Sequence, residues 1–560
     1  MRTLLSFLLL PGLLLAQTDT TELERILYDY QHYERFDTNN VWGDRTDDDI
    51  DAEILAMQEL QDRLAKLPAE GDSLNVDREL LEFVLDDRLY HLRFRSHRFP
   101  LNAEGGFLTG IVYRYGNRRI RDAEDLRRYL KELRTLPAHF RAQQDAMRQG
   151  LAVGQFNPQL VVTRVTELID RTVDSTGGSE LFLQPVADYP LGREAVAAMV
   201  RDSVLPAYRA LRGFLQGEYL EQLPPEPGIS MITEGKEYYR HLIRYFTTTE
   251  DATPESVFET GMREVERIRA EMEAVMESAG FDGSFSEFLL HLRTDAQFYA
   301  KTPEELLERA AWITKRMEGK LPEYFEKLPR MPLTVSPVPA ALAPNYTGGR
   351  YSPGSYGGRR RAGAFWVNTY DLPSRPFYTL PALALHEGVP GHHTQMMLSA
   401  ELEGQSDFRR GLYLSAFGEG WALYCEYLGK EAGMYETAYE DFGRLTYEMW
   451  RACRLVVDPG IHYFGWSRER AVQFMAENTA LSMREVNSEI DRYIGWPGQA
   501  VSYKMGELTI RRLRREAETA LGDKFDLAEF HNLVLANGSV TMSLLERIVR
   551  QYVAEKGAEG

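Results

Sequence analysis

Apolar and polar residues follow one another along most of this chain with the period of an α-helix, and few stretches alternate as a strand does. Two helix starts stand out. The stretch TPEE at residues 302–305 combines a threonine cap, a proline at the first helical position and a glutamate at the capping-box position. The stretch TPE at residues 253–255 opens a second long amphipathic segment. The pattern predicts a mainly α protein.

The pattern changes between about Leu321 and Leu383, where proline and glycine become frequent. Within this segment, PLTVSPV at residues 332–338 and GAFWVNTY at residues 363–370 have the composition of short strands. We predict a small β-ribbon next to the helix that follows. Such a ribbon either presents an edge to an extended peptide or serves as a structural hairpin that covers a helix end.

The amino-terminal sequence is typical of a secretory signal peptide. Arg2 precedes an apolar run from Leu4 to Ala16, and polar residues follow. We predict a signal peptide at residues 1–16 that directs the protein across the inner membrane, to the periplasm or the extracellular medium. An uncleaved anchor is the alternative. The run is short for a membrane span, and no other stretch approaches the ~20 apolar residues that a spanning helix needs.

The length of the chain favours about three domains, although one large helical unit is also possible. We predict a helical part at residues 17–330 and a metal-binding catalytic part, with the ribbon, at residues 331–560. We expect the two parts to form one continuous helical unit.

Charge and cysteine content narrow the choice of partners. Asp and Glu outnumber Lys and Arg by 84 to 65, which gives a net charge of −19. This balance argues against nucleic acid or an anionic membrane surface as a partner. Cys425 and Cys453 are the only cysteines, so a disulfide framework is excluded. Both lie in apolar helical patterns and are predicted to be buried, inert thiols.

The segment LALHEGVPGHHTQ, residues 383–395, nearly matches the zinc signature His-Glu-x-x-His. On a helix, residues four apart lie about 40° apart around the axis and about 6 Å apart along it, so two histidines at that spacing can hold one ion. Here the fourth residue after His386 is Pro390. Its ring would collide with the carbonyl group of His386, so the helix must open at this point.

Two later histidines compete for the place of the second ligand. On an undistorted helix His392 would lie about 120° from His386, whereas His393 would lie about 20° away but about 10.5 Å further along. Gly388 and Gly391 lower the free-energy cost of a bulge, and bulges of this kind often occur at functional sites. A two-residue bulge would bring His392 into place. We predict His392 as the ligand, with His393 as the alternative ligand or as a supporting or substrate contact.

A third ligand is predicted on the segment SAFGEGWALYCEYLGKEAG, residues 415–433. Glu419 and Glu426 are seven residues apart and therefore share one face of an apolar helix, where a glutamate is seldom buried without a partner. Two histidines and one glutamate form an accepted zinc site. We predict Glu419 as the ligand and Glu426 as an acceptor behind the site or a salt-bridge partner. Glu387 would serve as general base on a zinc-activated water.

Four motifs carry a resemblance to a known family: HEGVPGHH, FGEGWALYCEYLG, WRACRLVVDPGIHYFGW and RYIGWPGQAVSYKMG. In this order they resemble the bacterial family called domain of unknown function 885. That family resembles the helical gluzincin peptidases, which include angiotensin-converting enzyme, the thermostable carboxypeptidases and the thimet oligopeptidases. The gluzincin pattern His-Glu-x-Gly-His corresponds to this chain after a two-residue insertion. The resemblance implies zinc on His386, His392 and Glu419, with Glu387 as base.

The same resemblance implies a tyrosine or histidine, from a later helix, that stabilises the oxyanion. Tyr503 loosely resembles the tyrosine of the oligopeptidase group, and Tyr493 and His462 are the alternatives. Each of them would also fit an ordinary packed side chain. Arg454 either pairs with Asp458, one helical turn away, or receives a substrate carboxylate, which would make the protein a carboxypeptidase.

We therefore expect a large, helical, peptidase-like fold with a deep central cleft and a small β-ribbon beside the zinc helix. The expected activity is zinc-dependent hydrolysis of short peptides, of oligopeptidase or carboxypeptidase type. Two alternatives are kept. One is metal-assisted hydrolysis of an amide or ester in a non-peptide substrate, and the other is a non-catalytic binding protein whose metal site has degenerated.

Overall fold

Helices dominate the computed structural model of the chain, as the sequence pattern predicts. The structure describes residues 22–33, 41–68, 75–102, 105–116, 118–174, 179–225, 227–340, 343, 347–357 and 360–558. The predicted signal peptide at residues 1–16 lies outside these ranges. Within them, every helix is too short or too polar to cross a lipid bilayer.

Two compact units divide between Pro225 and Glu226. This boundary lies well before residue 330, where the sequence changes composition. The first unit contains a helix over residues 22–32 and the helices Asp47–Ala65, Val76–Phe94, Phe107–Gly116, Ala123–Ala152, Gln159–Asp174, Glu180–Leu183, Arg193–Met199 and Leu205–Gly213, with π-helical turns at Val200–Val204 and Phe214–Tyr219.

The second unit contains six helices that carry or support the candidate site. They are α1 (Leu380–Glu387), α2 (His392–Glu401), α3 (Ser415–Glu431), α4 (Ala438–His462), α5 (Met483–Gly495) and α6 (Ser502–Leu521). Its other helices are Gly235–Thr247, Pro254–Ser278, Phe285–Thr294, Pro303–Tyr324, Asp407–Gly411, Arg468–Asn478, Leu527–Leu535 and Met542–Ala558.

Both predicted helix starts are present. Thr302 caps the helix Pro303–Tyr324 by accepting a hydrogen bond from the Glu305 amide, and Thr253 caps the helix Pro254–Ser278 in the same way. The carboxylate of Glu305 does not close the predicted capping box. It accepts instead from the amide of Lys301, one residue before the cap, at 2.7 Å.

The small sheet has three strands in the order β1-β3-β2: β1 (Leu333–Pro337), β2 (Gly349–Ser352) and β3 (Gly363–Val367). Both predicted strands are confirmed, but they pair in parallel and do not form a hairpin. The chain between them is long enough to carry β2, which pairs antiparallel with β3 and which the sequence pattern missed.

Helices α3 and α6 approach closely at a pair of glycines. A Cβ atom built on Gly420 would lie 2.6 Å from Cα of Gly506, and one on Gly506 would lie 2.0 Å from the carbonyl oxygen of Ala416. No side chain fits in so close a contact, so both positions require glycine. The contact places Glu419 of α3 and Tyr503 of α6 in neighbouring turns of two packed helices.

Cys425 on α3 and Cys453 on α4 are buried and form no disulfide. Burial raises the pKa of both thiols, which keeps them protonated at neutral pH. The prediction that both cysteines are buried is confirmed.

Candidate metal centre

The helix that carries His386 ends directly after it, at Glu387, and a new helix begins at His392. Between them the chain turns back on itself: the amide of Gly391 donates to the carbonyl group of Leu385 at 3.0 Å. The predicted bulge is therefore a complete break between α1 and α2. Its cause is the one the sequence indicates, because Pro390 cannot continue the helix.

Gly391 is the residue that lets this turn close. A Cβ atom on Gly391 would lie 2.0 Å from the carbonyl oxygen of His386 and 2.4 Å from that of Leu385. The indole of Trp421 on α3 holds the turn from outside, since its Nε1 donates to the carbonyl oxygen of Pro390 at 3.0 Å. The first residue of α2, His392, is thus returned to the end of α1.

His386, His392 and Glu419 converge in the second unit, where both histidines are buried and Glu419 is partly exposed. Oε2 of Glu419 lies 3.5 Å from Nε2 of His386 and 3.3 Å from Nε2 of His392. All three ligand atoms lie within 4.8 Å of one another. Two atoms bound to zinc at 2.0–2.2 Å in tetrahedral geometry are about 3.4 Å apart. The spacing of these side chains therefore fits a zinc ion.

Glu426 orients the first histidine from behind. Its Oε1 accepts a hydrogen bond from Nδ1 of His386 at 2.8 Å, which turns Nε2 of that ring toward Glu419. Histidines that bind metals almost always donate their second nitrogen to such a partner. Burial alone lowers the pKa of His386, but its hydrogen bonds to Glu419 and Glu426 raise the pKa to about 9. Nδ1 of His392 is buried and has no hydrogen-bond partner among the described residues.

Glu419 is held as a carboxylate. Burial favours its protonated form, but His392 and His386 lower its pKa well below the usual range. Its second oxygen, Oε1, accepts a hydrogen bond from the phenol of Tyr413 at 3.2 Å. Gly418 makes room for the Tyr413 ring, because a Cβ atom there would lie 2.4 Å from the phenol oxygen. Tyr413 therefore leaves Oε2 to face the two histidines.

Strand β2 positions Glu387. The amide of Tyr351 donates to Oε2 of Glu387 at 2.7 Å, which fixes the half-buried carboxylate beside the histidines. Sequence reasoning missed both Tyr351 and Tyr413. A backbone donor leaves no signal in residue identity, and Tyr413 lies outside the helix whose ligand it supports.

His393 is engaged by the protein on both sides of its ring. The phenol of Tyr351 donates to Nδ1 at 3.0 Å, and Nε2 donates to the carbonyl oxygen of Met331 at 2.9 Å. Burial lowers the pKa of His393, consistent with a neutral ring. The structure thus brings His392 to Glu419 and uses His393 to attach α2 to the sheet region.

Tyr503 lies beside the cluster. Its ring stacks on that of His386 with a centroid distance of 6.4 Å. The guanidinium carbon of Arg454 lies 4.3 Å from the centroid of the Tyr503 ring. Burial, followed by the charge of Glu419, raises its pKa. Of the three candidates for oxyanion stabilisation, Tyr503 is the one in ring contact with a predicted ligand.

Tyr493 and His462 belong to a packing network. The Tyr493 hydroxyl accepts from Nε of Arg454 at 2.8 Å and from the indole of Trp450 at 2.9 Å. Nε2 of His462 donates to the carbonyl oxygen of Tyr493, and its Nδ1 accepts from the amide of Ile229. Both ring nitrogens of His462 are therefore occupied by backbone groups.

Arg454 does not pair with Asp458. Its Nη2 donates to Glu489 at 3.1 Å. Asp458 accepts instead from the Tyr239 hydroxyl at 2.6 Å and from the Gly498 amide at 2.9 Å, and burial raises its pKa to about 7. Arg454 is 3% exposed, and its Nη1 is buried without a hydrogen-bond partner among the described residues.

His462 should make the fold sensitive to acid. Burial lowers its pKa to about 4, from about 6.5 in the unfolded chain, so its stabilising effect is complete above pH 6.5 and is lost as the pH falls toward 4. Between pH 7 and pH 5 the unfolding free energy of the wild type should fall by about 2 kcal/mol more than that of His462→Gln. Glutamine can keep both hydrogen bonds but does not titrate. Urea unfolding at the two pH values measures the difference, and parallel curves would contradict it.

Comparisons with known proteins give a family and a fold. The model of the family described as "Bacterial protein of unknown function (DUF885)" matches residues 29–549. A crystal structure described as "the putative lipoprotein from Colwellia psychrerythraea" is 24% identical with a TM-score of 0.86, and the alignment covers 97% of this chain and 100% of that chain. "A putative lipoprotein of unknown function from Shewanella oneidensis" is 18% identical with a TM-score of 0.73, covering 96% and 99%. No curated protein matches. At these identities the structural likeness shows the fold alone.

Proposed function

This chain belongs to the bacterial DUF885 family, whose function is unknown, and we propose that it is an exported, zinc-dependent hydrolase of short peptides. One observation carries the proposal. Oε2 of Glu419 lies close to the Nε2 atoms of His386 and His392, at distances that suit two ligands of a tetrahedral zinc ion. All three ligand atoms lie within 4.8 Å of one another, and Glu387 follows His386 directly in the chain.

The three side chains would hold the ion through Nε2 of His386, Nε2 of His392 and Oε2 of Glu419. When bound, zinc would supply a Lewis acid that polarises a carbonyl group and acidifies a water molecule. The two histidines and one carboxylate leave a position open for substrate or water, as catalytic zinc sites do.

The remaining chemistry would be done by side chains around the cluster. Glu387, held by the Tyr351 amide, would take a proton from the attacking water and pass it to the leaving amine. Tyr503, stacked on His386, would donate a hydrogen bond to the oxygen that gains negative charge. Tyr413, on the ligand Glu419, is the second phenol within reach of the site.

Peptides are the proposed substrates because the motifs around His386 and Glu419 resemble those of gluzincin peptidases. Export is supported by the apolar amino terminus and by structural neighbours that are described as putative lipoproteins. The net charge of −19 argues against nucleic acid or an anionic membrane surface as a partner.

Metal analysis combined with a substrate panel tests the proposal. We expect about one zinc per chain and hydrolysis of unblocked or N-blocked short peptides. Hydrolysis of esters or non-peptide amides, with every peptide left intact, would favour the broader metal-assisted hydrolase. Protein without stoichiometric zinc, and without any hydrolysis, would indicate a binding protein and overturn the proposal.

Tyr413→Phe should weaken zinc binding by about 10- to 100-fold, because the ligand Glu419 loses the hydrogen bond that orients it. Competition with a chromogenic chelator measures the affinity. Tyr370→Phe, at a tyrosine that is 48% exposed, is the matched control and should bind zinc as the wild type does. Equal affinity in both variants would show that the Tyr413 phenol does not support the ligand.

A further inference from the structure

A cavity of about 230 Å³ lies in the second unit at the beginning of α1. Its walls are largely apolar and aromatic, and include Tyr378, Leu380, Leu383, Tyr447 and Leu481. Sites for whole drug-sized ligands usually measure about 300–1,000 Å³. This cavity is therefore of a size for one large side chain and not for a whole peptide.

The cavity lies on the side of α1 that carries Glu387. Leu380 and Leu383 precede Glu387 by seven and four residues, so all three project from one face of the helix. Leu383 is about 6 Å from Glu387 along the axis. Strand β2, whose Tyr351 amide holds Glu387, also contacts this face, since a Cβ atom on Gly349 would lie 3.2 Å from Leu383.

The charged groups of the cavity leave a net positive charge. The described lining residues include two arginines, Arg293 and Arg375, and one carboxylate, Glu485. Arg293 is committed to backbone carbonyl groups, among them that of Thr479 at 2.7 Å. Arg375 uses Nη1, which donates to the Ser374 carbonyl at 3.3 Å and lies 3.5 Å from Glu485.

Two polar groups of the wall lack partners among the described residues. Nε of Arg375 is buried without an acceptor, and so is the hydroxyl of Thr446, whose residue is 1% exposed. A buried donor without a partner is costly, so an acceptor supplied by a ligand would be favoured. The edge of a guanidinium that includes Nε can bind a carboxylate through two parallel hydrogen bonds.

We propose that this cavity is the subsite for the carboxyl-terminal residue of the substrate, with a large apolar or aromatic side chain in the cavity and the free carboxylate on Arg375. The inference rests on the proposed peptidase function. It moves the carboxylate-binding role that the sequence suggested for Arg454 to Arg375, because Arg375 lines this cavity and Arg454 is not among its lining residues.

Calorimetric titration of the purified, zinc-containing chain tests this assignment without requiring turnover. The probes are N-acetyl-phenylalanine, its amide, and N-acetyl-alanine. We expect the acid of phenylalanine to bind about 10- to 100-fold more tightly than the amide, and more tightly than the alanine compound. Arg375→Gln should remove the preference for the acid. Arg201→Gln, at an exposed arginine of the first unit, should retain it.

These measurements test the subsite separately from the proposed function. Equal affinity of wild-type protein for acid and amide would overturn the inference, as would a preference for the acid that survives Arg375→Gln, since the carboxylate would then bind elsewhere. The wild-type comparison holds even when Arg375→Gln does not fold. Tight, Arg375-dependent binding without cleavage of any peptide would keep the subsite and overturn the proposed hydrolase.

Discussion

Glu387→Gln should lower peptide hydrolysis on the order of 10³-fold while the zinc content stays near one per chain. Glutamine retains the shape of the side chain and can still accept the hydrogen bond from the Tyr351 amide, but it cannot take up a proton. General acid–base catalysis contributes about 10²- to 10⁴-fold to a rate, and this variant removes it from both the attack and the departure of the leaving group. Initial rates on a short peptide, with zinc measured in the same sample, give both numbers.

A matched control separates catalysis from the loss of one carboxylate. Glu401 on α2 pairs with Arg330 at 2.9 Å, and Glu401→Gln should keep near wild-type rates. Full activity in Glu387→Gln would refute the assignment of the base. Low activity together with lost zinc would instead show that Glu387 acts on the metal site, which the present geometry does not support.

The helices and strands that could be predicted from the sequence are those with local sequence signals. Caps and proline positions located the helices after Thr253 and Thr302, and branched and aromatic residues located β1 and β3. Strand β2, with the sequence GRYS, has only four residues and none of them is β-branched. Its pairing partner and its contact with Glu387 are set by tertiary structure. Sequence pattern therefore found the ribbon but not the strand that touches the candidate site.

The break at Pro390 was predictable, whereas its geometry was not. Angles on a continuous helix place His393 closer in direction to His386, and only a bulge of unknown shape favours His392. In the structure, His392 is brought to His386 by two contacts. Gly391 approaches the carbonyl group of His386 closely, and Trp421 of α3 donates a hydrogen bond to the carbonyl oxygen of Pro390. Both contacts are properties of the folded chain.

The contacts of the three candidates for oxyanion stabilisation could not be predicted from the sequence either. His462 and Tyr493 lie in motifs that resemble the DUF885 family, yet their polar atoms bind each other, Ile229 and Arg454. Ile229 is separated from His462 by 233 residues, so nothing near His462 in the sequence indicates this contact. Tyr503 matched the tyrosine of the oligopeptidase group only loosely, and it is the candidate that stacks on His386.

His392→Ala should lose zinc, and His393→Ala should keep it. Nε2 of His392 lies 3.3 Å from the Glu419 carboxylate, so its removal takes away one of three ligands. Loss of a residue that hydrogen-bonds to a metal ligand lowers metal affinity about 10- to 100-fold, and loss of a ligand itself should lower it further. In His393→Ala the Met331 carbonyl and the Tyr351 hydroxyl lose their partner, which should lower the unfolding free energy by about 1–3 kcal/mol.

Zinc content after dialysis against a chelator, and urea unfolding of the same samples, distinguish the two variants. His291→Ala, on the helix Phe285–Thr294, is the control for zinc content and should keep the ion, because His291 is not part of the ligand cluster. If His393→Ala loses the ion while His392→Ala keeps it, the chain must rearrange between α1 and α2 when zinc binds, since both nitrogens of His393 are engaged by Tyr351 and Met331 in this structure. Loss of zinc in both variants at equal stability would mean that the attachment of α2 to the sheet region is itself needed to hold His392 in place.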